Sequence, residues 1–146
     1  MKLKTIYLVL ITLVAPSIGS AEGFQFSARP SLLDPRIAFV PDLVRTDETL
    51  RLEWQIAPGY YLYRDKTEIH RVNGGERAPL QPQFAAGEEI TDPEWGPQTI
   101  YRLFTVMTLS LGASHYTEET RLEVTYQGCK EGQLCYPPTT VTLEIF

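Results

Sequence analysis

Apolar and polar side chains alternate with a period of two along several stretches of this 146-residue chain, the period of a half-buried strand rather than of a helix. Leu50, Leu52, Trp54 and Ile56 alternate with Arg51, Glu53 and Gln55, and the run stops at Pro58-Gly59. Leu122, Val124 and Tyr126 repeat the pattern, as do Val141, Leu143 and Ile145. Tyr60-Tyr61-Leu62-Tyr63-Arg64 predicts a strand with aromatic side chains on both faces, since tyrosine favours strands. If only one of those faces is core, the other lines a pocket or a contact surface.

Weaker signals fill the intervals. Residues 22–35 form a polar lead-in with Pro30 and Pro35, and Arg36 to Val40 predicts an edge strand stopped by Pro41. Ile69 to Val72 predicts a strand ending at the turn Asn73-Gly74-Gly75. From Arg77 to Gln98 the alternation dissolves among Pro79, Pro82, Gly87, Pro93, Gly96 and Pro97. A connection of that length is more often functional than idle, and it carries the acidic-aromatic segment Asp92-Pro93-Glu94-Trp95-Gly96. Ile100 to Leu111 predicts a long strand or a bent pair, and Gly112 to Thr120 a loop. With no convincing helical period, the expected fold is an all-β sandwich.

The N-terminus changes the picture of where this domain works. Lys2 and Lys4 precede an apolar run from Ile6 to Val14, and Gly19-Ser20-Ala21 offers small residues for cleavage before Glu22, the marks of a secretory signal. The run is short of the about 20 residues of a membrane span. Residues 1–21 are therefore expected to be a signal peptide and 22–146 a single domain. The chain holds 13 Lys and Arg against 18 Asp and Glu; without Lys2 and Lys4, the acids outnumber the bases 18 to 11. That sign disfavours nucleic acid and anionic membranes as partners, and export lets disulfides persist.

Both cysteines fall in one segment, Tyr126-Gln127-Gly128-Cys129-Lys130-Glu131-Gly132-Gln133-Leu134-Cys135-Tyr136-Pro137-Pro138, where one strand ends and its neighbour begins. Gly128 and Gly132 are expected to let the backbone turn, and the two prolines to interrupt any ladder. A structural bridge is the ordinary use of two exported cysteines. Closing so short a loop, however, stabilises by only about 2.4 kcal/mol, against about 4.7 for a hundred-residue loop. A bridge meant for stability would join distant strands. The glycine-rich surround flanked by Tyr126 and Tyr136 suits the approach of another backbone, and the acidic-aromatic segment is positioned to fold over the sulfurs. The C-x-x-C signature of thioredoxin-like oxidoreductases is absent.

Tyr126-Gln127-Gly128-Cys129, the five-residue gap and Cys135-Tyr136-Pro137-Pro138 resemble the active-site segment of the N-terminal periplasmic domain of the thiol:disulfide interchange protein DsbD. Gly59 to Arg64 and Ile100-Tyr101-Arg102 resemble two further segments of that domain, in order, so that the likeness covers Phe39 to Ile145. The resemblance implies an immunoglobulin-like β-sandwich with a long cap-type loop, acting as a protein-disulfide reductase without cofactor. It implies electrons taken from a thioredoxin-like C-terminal domain of DsbD and passed to a disulfide isomerase and to a thioredoxin-like protein of cytochrome c maturation. By position Cys135 matches the cysteine that forms mixed disulfides and Cys129 the one that resolves them. Tyr61 and Tyr63 match residues beside the site, and Asp92 to Gly96 the cap that shields the sulfurs. Where the family commonly has Phe then Tyr, this chain has Glu94 and Trp95, and Trp95 is the expected shield. The sequence ends at Phe146, before the membrane helices and thioredoxin-like domain of that family. It is thus expected to be periplasmic, as a monomeric domain of an inner-membrane protein or a stand-alone relative.

Exchange needs a thiolate in line with a disulfide and a second thiol to close the ring. Glu131, Asp92 and Glu94 against Lys130, with an apolar lid, disfavour a thiolate and predict thiol pKa values at or above the ordinary value of about 8.5. Withholding that stabilisation suits an electron donor. The competing possibility is a non-catalytic secreted sandwich with a structural disulfide. A metal site is weaker, because His70 and His115 lie far from the cysteines in sequence. Glu88-Glu89 and Glu118-Glu119 read as solvated loop.

Overall fold

In the computed structural model the described residues are 31–46, 49–110 and 116–145. The expected signal peptide, the lead-in through Pro30, and His115 lie outside them. One compact unit runs from Leu32 to Phe146.

Thirteen strands among the described residues form three antiparallel sheets. The first has the order β1 (Phe39–Arg45), β2 (Thr49–Ile56), β9 (Phe104–Ser110), β6 (Gln83–Phe84). The second has the order β13 (Thr139–Glu144), β10 (Arg121–Tyr126), β4 (Glu68–Asn73), β5 (Glu76–Leu80). The third runs β12 (Leu134–Cys135), β11 (Gly128–Lys130), β3 (Tyr60–Tyr63), β8 (Gly96–Tyr101), β7 (Glu88–Asp92). The alternation in the sequence is the cause of the layering. Leu50, Leu52, Trp54 and Ile56 of β2 point into one core with Met107, Leu109, Ile69, Leu122, Val124 and Tyr126. Trp54 is fully buried and meets Tyr126 edge-on at 4.8 Å between ring centroids. This is the expected immunoglobulin-like sandwich.

Two expectations fail for one reason, which is that proline is tolerated where a strand lacks a neighbour. Arg36 to Val40 is not a strand halted at Pro41. Asp34 caps a single helical turn, α1 (Pro35–Ala38), by accepting from the Arg36 N–H at 2.8 Å, and β1 then runs through Pro41, opposite Trp54. As β1 is the edge of its sheet, the missing N–H there breaks no ladder. Residues 77–98 likewise are not one long connection but β5, β6, β7 and the start of β8. Pro79 sits on the edge strand β5, and Pro97 lies on the part of β8 that pairs with β7 alone. Glu88 and Glu89 are accordingly on a strand rather than in a loop, and they bond to Arg102 and Thr99 respectively.

The site depends on how the third sheet uses its two faces. On β3, Tyr60 and Leu62 enter the main core, whereas Tyr61 and Tyr63 face the other way. On that outward face a separate cluster forms around Tyr63, Ile100 and Cys129, with Tyr61, Ile90 and Trp95 packed at its margin. Cys129 therefore belongs to a satellite cluster, away from the core that holds the sandwich together.

Candidate redox site

Cys129 on β11 stands directly opposite Cys135 on β12, and the two are bonded, with Cα atoms 3.9 Å apart. On its other side Cys129 pairs with Tyr61 of β3. The two sulfurs differ in access: Cys129 is 1% exposed, whereas Cys135 lies on an exposed strand. Gly128 makes this possible through close approach rather than through a turn. A Cβ there would collide with the Phe39 ring and the Tyr61 carbonyl. The turn is supplied by Gly132, at φ +66°. Beyond Cys135 the Pro137-Pro138 pair falls between β12 and β13, as expected.

The segment from Asp92 to Gly96 is a tight hairpin between β7 and β8. Asp92 pairs with Gly96 across three turn residues, and Gly96 has φ +72°, the left-handed conformation that closes such a loop. Asp92 Oδ1 accepts from the N–H groups of Glu94 (2.8 Å) and Trp95 (3.0 Å), so the turn is internally locked. Pro93 and Glu94 line a cleft of about 260 Å³ together with Tyr61, Leu134 and Cys135. Trp95 does not line this cleft but packs on the cluster that holds Cys129. Its ring meets Tyr63 edge-on at 5.4 Å and lies beneath the ammonium of Lys66.

Tyr63 connects turn and sulfurs. Its hydroxyl donates to Asp92 Oδ2 at 2.5 Å and stands 3.5 Å from Cys129 Sγ and 3.9 Å from Cys135 Sγ. The Tyr61 hydroxyl is 3.5 Å from that of Tyr63. Burial, reinforced by the bond to Asp92, pushes the Tyr63 phenol well above its ordinary pKa. The same bond, with the two turn N–H groups and the Lys66 charge, overcomes desolvation and holds the Asp92 carboxyl below the usual range. The pair is thus a neutral phenol donating to a carboxylate. With its hydrogen committed, Tyr63 presents only lone pairs to the sulfurs.

The remaining expected residues are placed as follows. Glu131 is ion-paired with Arg102 at 3.0 Å, and Lys130 stacks over Tyr60 at 4.5 Å. Of the carboxylates named from sequence, Glu94 lines the cleft beside Cys135, and Asp92 reaches the sulfurs through the Tyr63 hydroxyl. Tyr136 is turned away from them: it stacks on Tyr60 and donates to the Leu33 carbonyl at 2.7 Å, anchoring β12 to the main core. Pro93 and Leu134, which line the cleft, lie within the expected cap and cysteine segments, whereas Lys66 lies outside both. Asp-Pro with Gly three positions after the proline marks the three-residue hairpin turn that carries Pro93, but no local signal points to Lys66.

The family described as thiol:disulfide interchange protein DsbD, N-terminal, matches residues 29–146. A DsbD from Neisseria meningitidis is 38% identical over 117 residues, which are 79% of this chain and 19% of that protein. One from Cronobacter sakazakii is 33% identical over 138 residues, 94% of this chain and 23% of that protein. The chain spans about a fifth of the length of the curated relatives it matches. Among solved structures, the reduced N. meningitidis DsbD N-terminal domain superposes with a TM-score of 0.69 at 36% identity, covering 78% of this chain and 89% of that one. The same domain in complex with the PilB N-terminal domain gives a TM-score of 0.63 at 36% identity, covering 79% and 88%.

Proposed function

The chain belongs to the family of DsbD N-terminal domains, which are periplasmic, and from that membership and the geometry of its cysteine pair we propose that it relays electrons between thioredoxin-like proteins. Disulfide exchange in general is the chemistry of the family; the order of steps and the partners are our reading. The observation that carries it is the unequal access of two bonded sulfurs, Cys135 exposed beside a cleft and Cys129 buried behind it.

A donor thiolate attacks Cys135 Sγ and the bond to Cys129 breaks. Cys129 leaves as a thiolate and takes up a proton, while donor and Cys135 are joined as a mixed disulfide. The donor's second thiolate then attacks its own bonded sulfur and releases Cys135 as a thiolate, which takes up the second proton. Two electrons and two protons have entered the domain. In the discharging half, Cys135 as thiolate opens an acceptor disulfide, and Cys129 attacks Cys135 to free the reduced acceptor and restore the starting bond. Tyr63 suits this direction of flow, because an oxygen whose hydrogen is committed to Asp92 gives a thiolate no stabilisation, and a dithiol whose thiolate is not stabilised is the better donor. The locked turn narrows the approach to Cys135 until a partner displaces it. A supporting parallel is that a relative's domain has been solved with the PilB N-terminal domain. Residues 1–21 would direct export, and a thioredoxin-like donor and disulfide isomerase or cytochrome c maturation acceptors fit the same surface.

The test is a Cys129→Ser variant in a periplasmic extract. Cys135 should accumulate mixed disulfides with thioredoxin-like proteins, and Cys135→Ser should trap none. Equal trapping by both variants, or by neither, would overturn the assignment and leave a structural bridge in a binding module.

A further inference from the structure

Lys66 lies in the short link between β3 and β4 and is half-buried. Its Nζ sits 3.7 Å from the centroid of the Trp95 ring and 5.9 Å from that of Tyr63. A cation over an aromatic face is drawn by the ring quadrupole, and indole is the strongest such partner. The backbone under Lys66 is fixed: Thr67 N–H donates to the Arg64 carbonyl at 3.1 Å, and Thr67 Oγ1 donates to the Tyr63 carbonyl at 2.8 Å. Trp95, in contrast, rides on the tip of a hairpin whose outer strand, β7, has no neighbour besides β8 among the described residues.

We propose that Lys66 is a latch that clamps Trp95 against Tyr63 and so holds the β7–β8 turn closed beside Cys135. Resting on the exchange reading above, this makes Lys66 a positioning residue that sets how often the disulfide is open to attack. Because Asp92 ties the N–H groups of Glu94 and Trp95, the turn moves as one piece. Clamping Trp95 therefore also fixes Pro93 and Glu94, which line the Cys135 cleft. The piece is held at two points. The inner one, Tyr63 to Asp92, is buried; the outer one, Lys66 on Trp95, is half-exposed and yields first. The ammonium also favours the Asp92 carboxylate, and the two routes are separable by experiment.

The measurements are the rate at which dithiothreitol reduces the disulfide of the purified chain, and acrylamide quenching of Trp95 taken as the difference from Trp95→Phe. Lys66→Gln should raise the rate about two- to fivefold and increase quenching, the loss expected for one partly exposed cation–aromatic contact. Lys66→Arg, whose guanidinium also lies on aromatic faces, should restore both. In a Trp95→Leu background Lys66→Gln should change nothing further. Unchanged rate and quenching in Lys66→Gln would overturn the latch. So would an effect that survives in Trp95→Leu, since that routes the charge through Asp92. Neither readout uses a partner protein, so a chain that traps no thioredoxin-like protein would sink the exchange reading while these results still decide the latch.

Discussion

Tyr63 has one hydroxyl hydrogen and several neighbours placed to compete for it: Asp92 at 2.5 Å, Tyr61 and Cys129 at 3.5 Å, and Cys135 at 3.9 Å. A carboxylate wins, because hydrogen bonds to a charged acceptor are shorter and roughly twice as strong. Replacing Asp92 by Asn removes the charge and frees the hydroxyl to donate to sulfur. Both effects favour a thiolate, so Asp92→Asn should lower the pKa of the reduced cysteines by about 1 unit, readable in their Cβ chemical shifts. An unchanged titration would mean that Asp92 does not reach the sulfurs. The Asp92 carboxyl, depressed in the fold, stabilises the closed turn fully above the ordinary carboxyl pKa of about 3.9, and that contribution is lost as pH falls through the lower folded value. Reduction by a water-soluble phosphine, taken as the ratio to its rate with a small-molecule disulfide so that protonation of the phosphine cancels, should therefore show no step between about pH 7 and about pH 5 and should accelerate only below about pH 4. A step near neutrality would contradict an ionised Asp92.

At the scale of elements, the hairpin that carries the sulfurs depends on β11 lying close to both β3 and the Phe39 ring. Gly128→Ala puts a methyl group into the ring and the Tyr61 carbonyl. The strand must shift, and overpacking of this kind costs about 1–3 kcal/mol. Urea unfolding should show that loss, together with slower exchange at Cys135 as the Cys129–Tyr61 register opens; wild-type stability would show that β11 has slack. Strands β2, β10 and β13 were legible from alternation, since one of their faces is core and periodicity reports burial. Strands β5, β7 and the start of β8 were not, because edge strands tolerate the prolines that otherwise argue against a ladder. The cysteine pair and the neighbouring Tyr61 and Tyr63 were legible as a motif. The link of Tyr63 to Asp92 and that of Lys66 to Trp95 each join residues 29 positions apart, and only the pairing of β3 with β8 and β8 with β7 brings them together.

For the molecule as a whole, the position of the disulfide decides what its loss does. The bridge spans six positions within one hairpin and joins no two layers. Cys129 belongs to the satellite cluster and Cys135 to an exposed strand, and the main core of Trp54, Tyr126 and their neighbours contains neither cysteine. Loop closure of this length contributes at most about 2.4 kcal/mol through the unfolded state. For a domain of this size that corresponds to about 10 °C in Tm. The reduced chain, and a Cys129→Ala, Cys135→Ala double variant, should therefore unfold in one cooperative transition no more than about 10 °C below the oxidised chain, with far-ultraviolet circular dichroism unchanged. A bond that must open and close in every turnover can reside only where the fold does not depend on it, and a separate outward cluster beside an intact core meets that condition. Should the reduced form instead lose its cooperative transition, the bridge would be structural, and the unequal access of its two sulfurs would have no functional meaning.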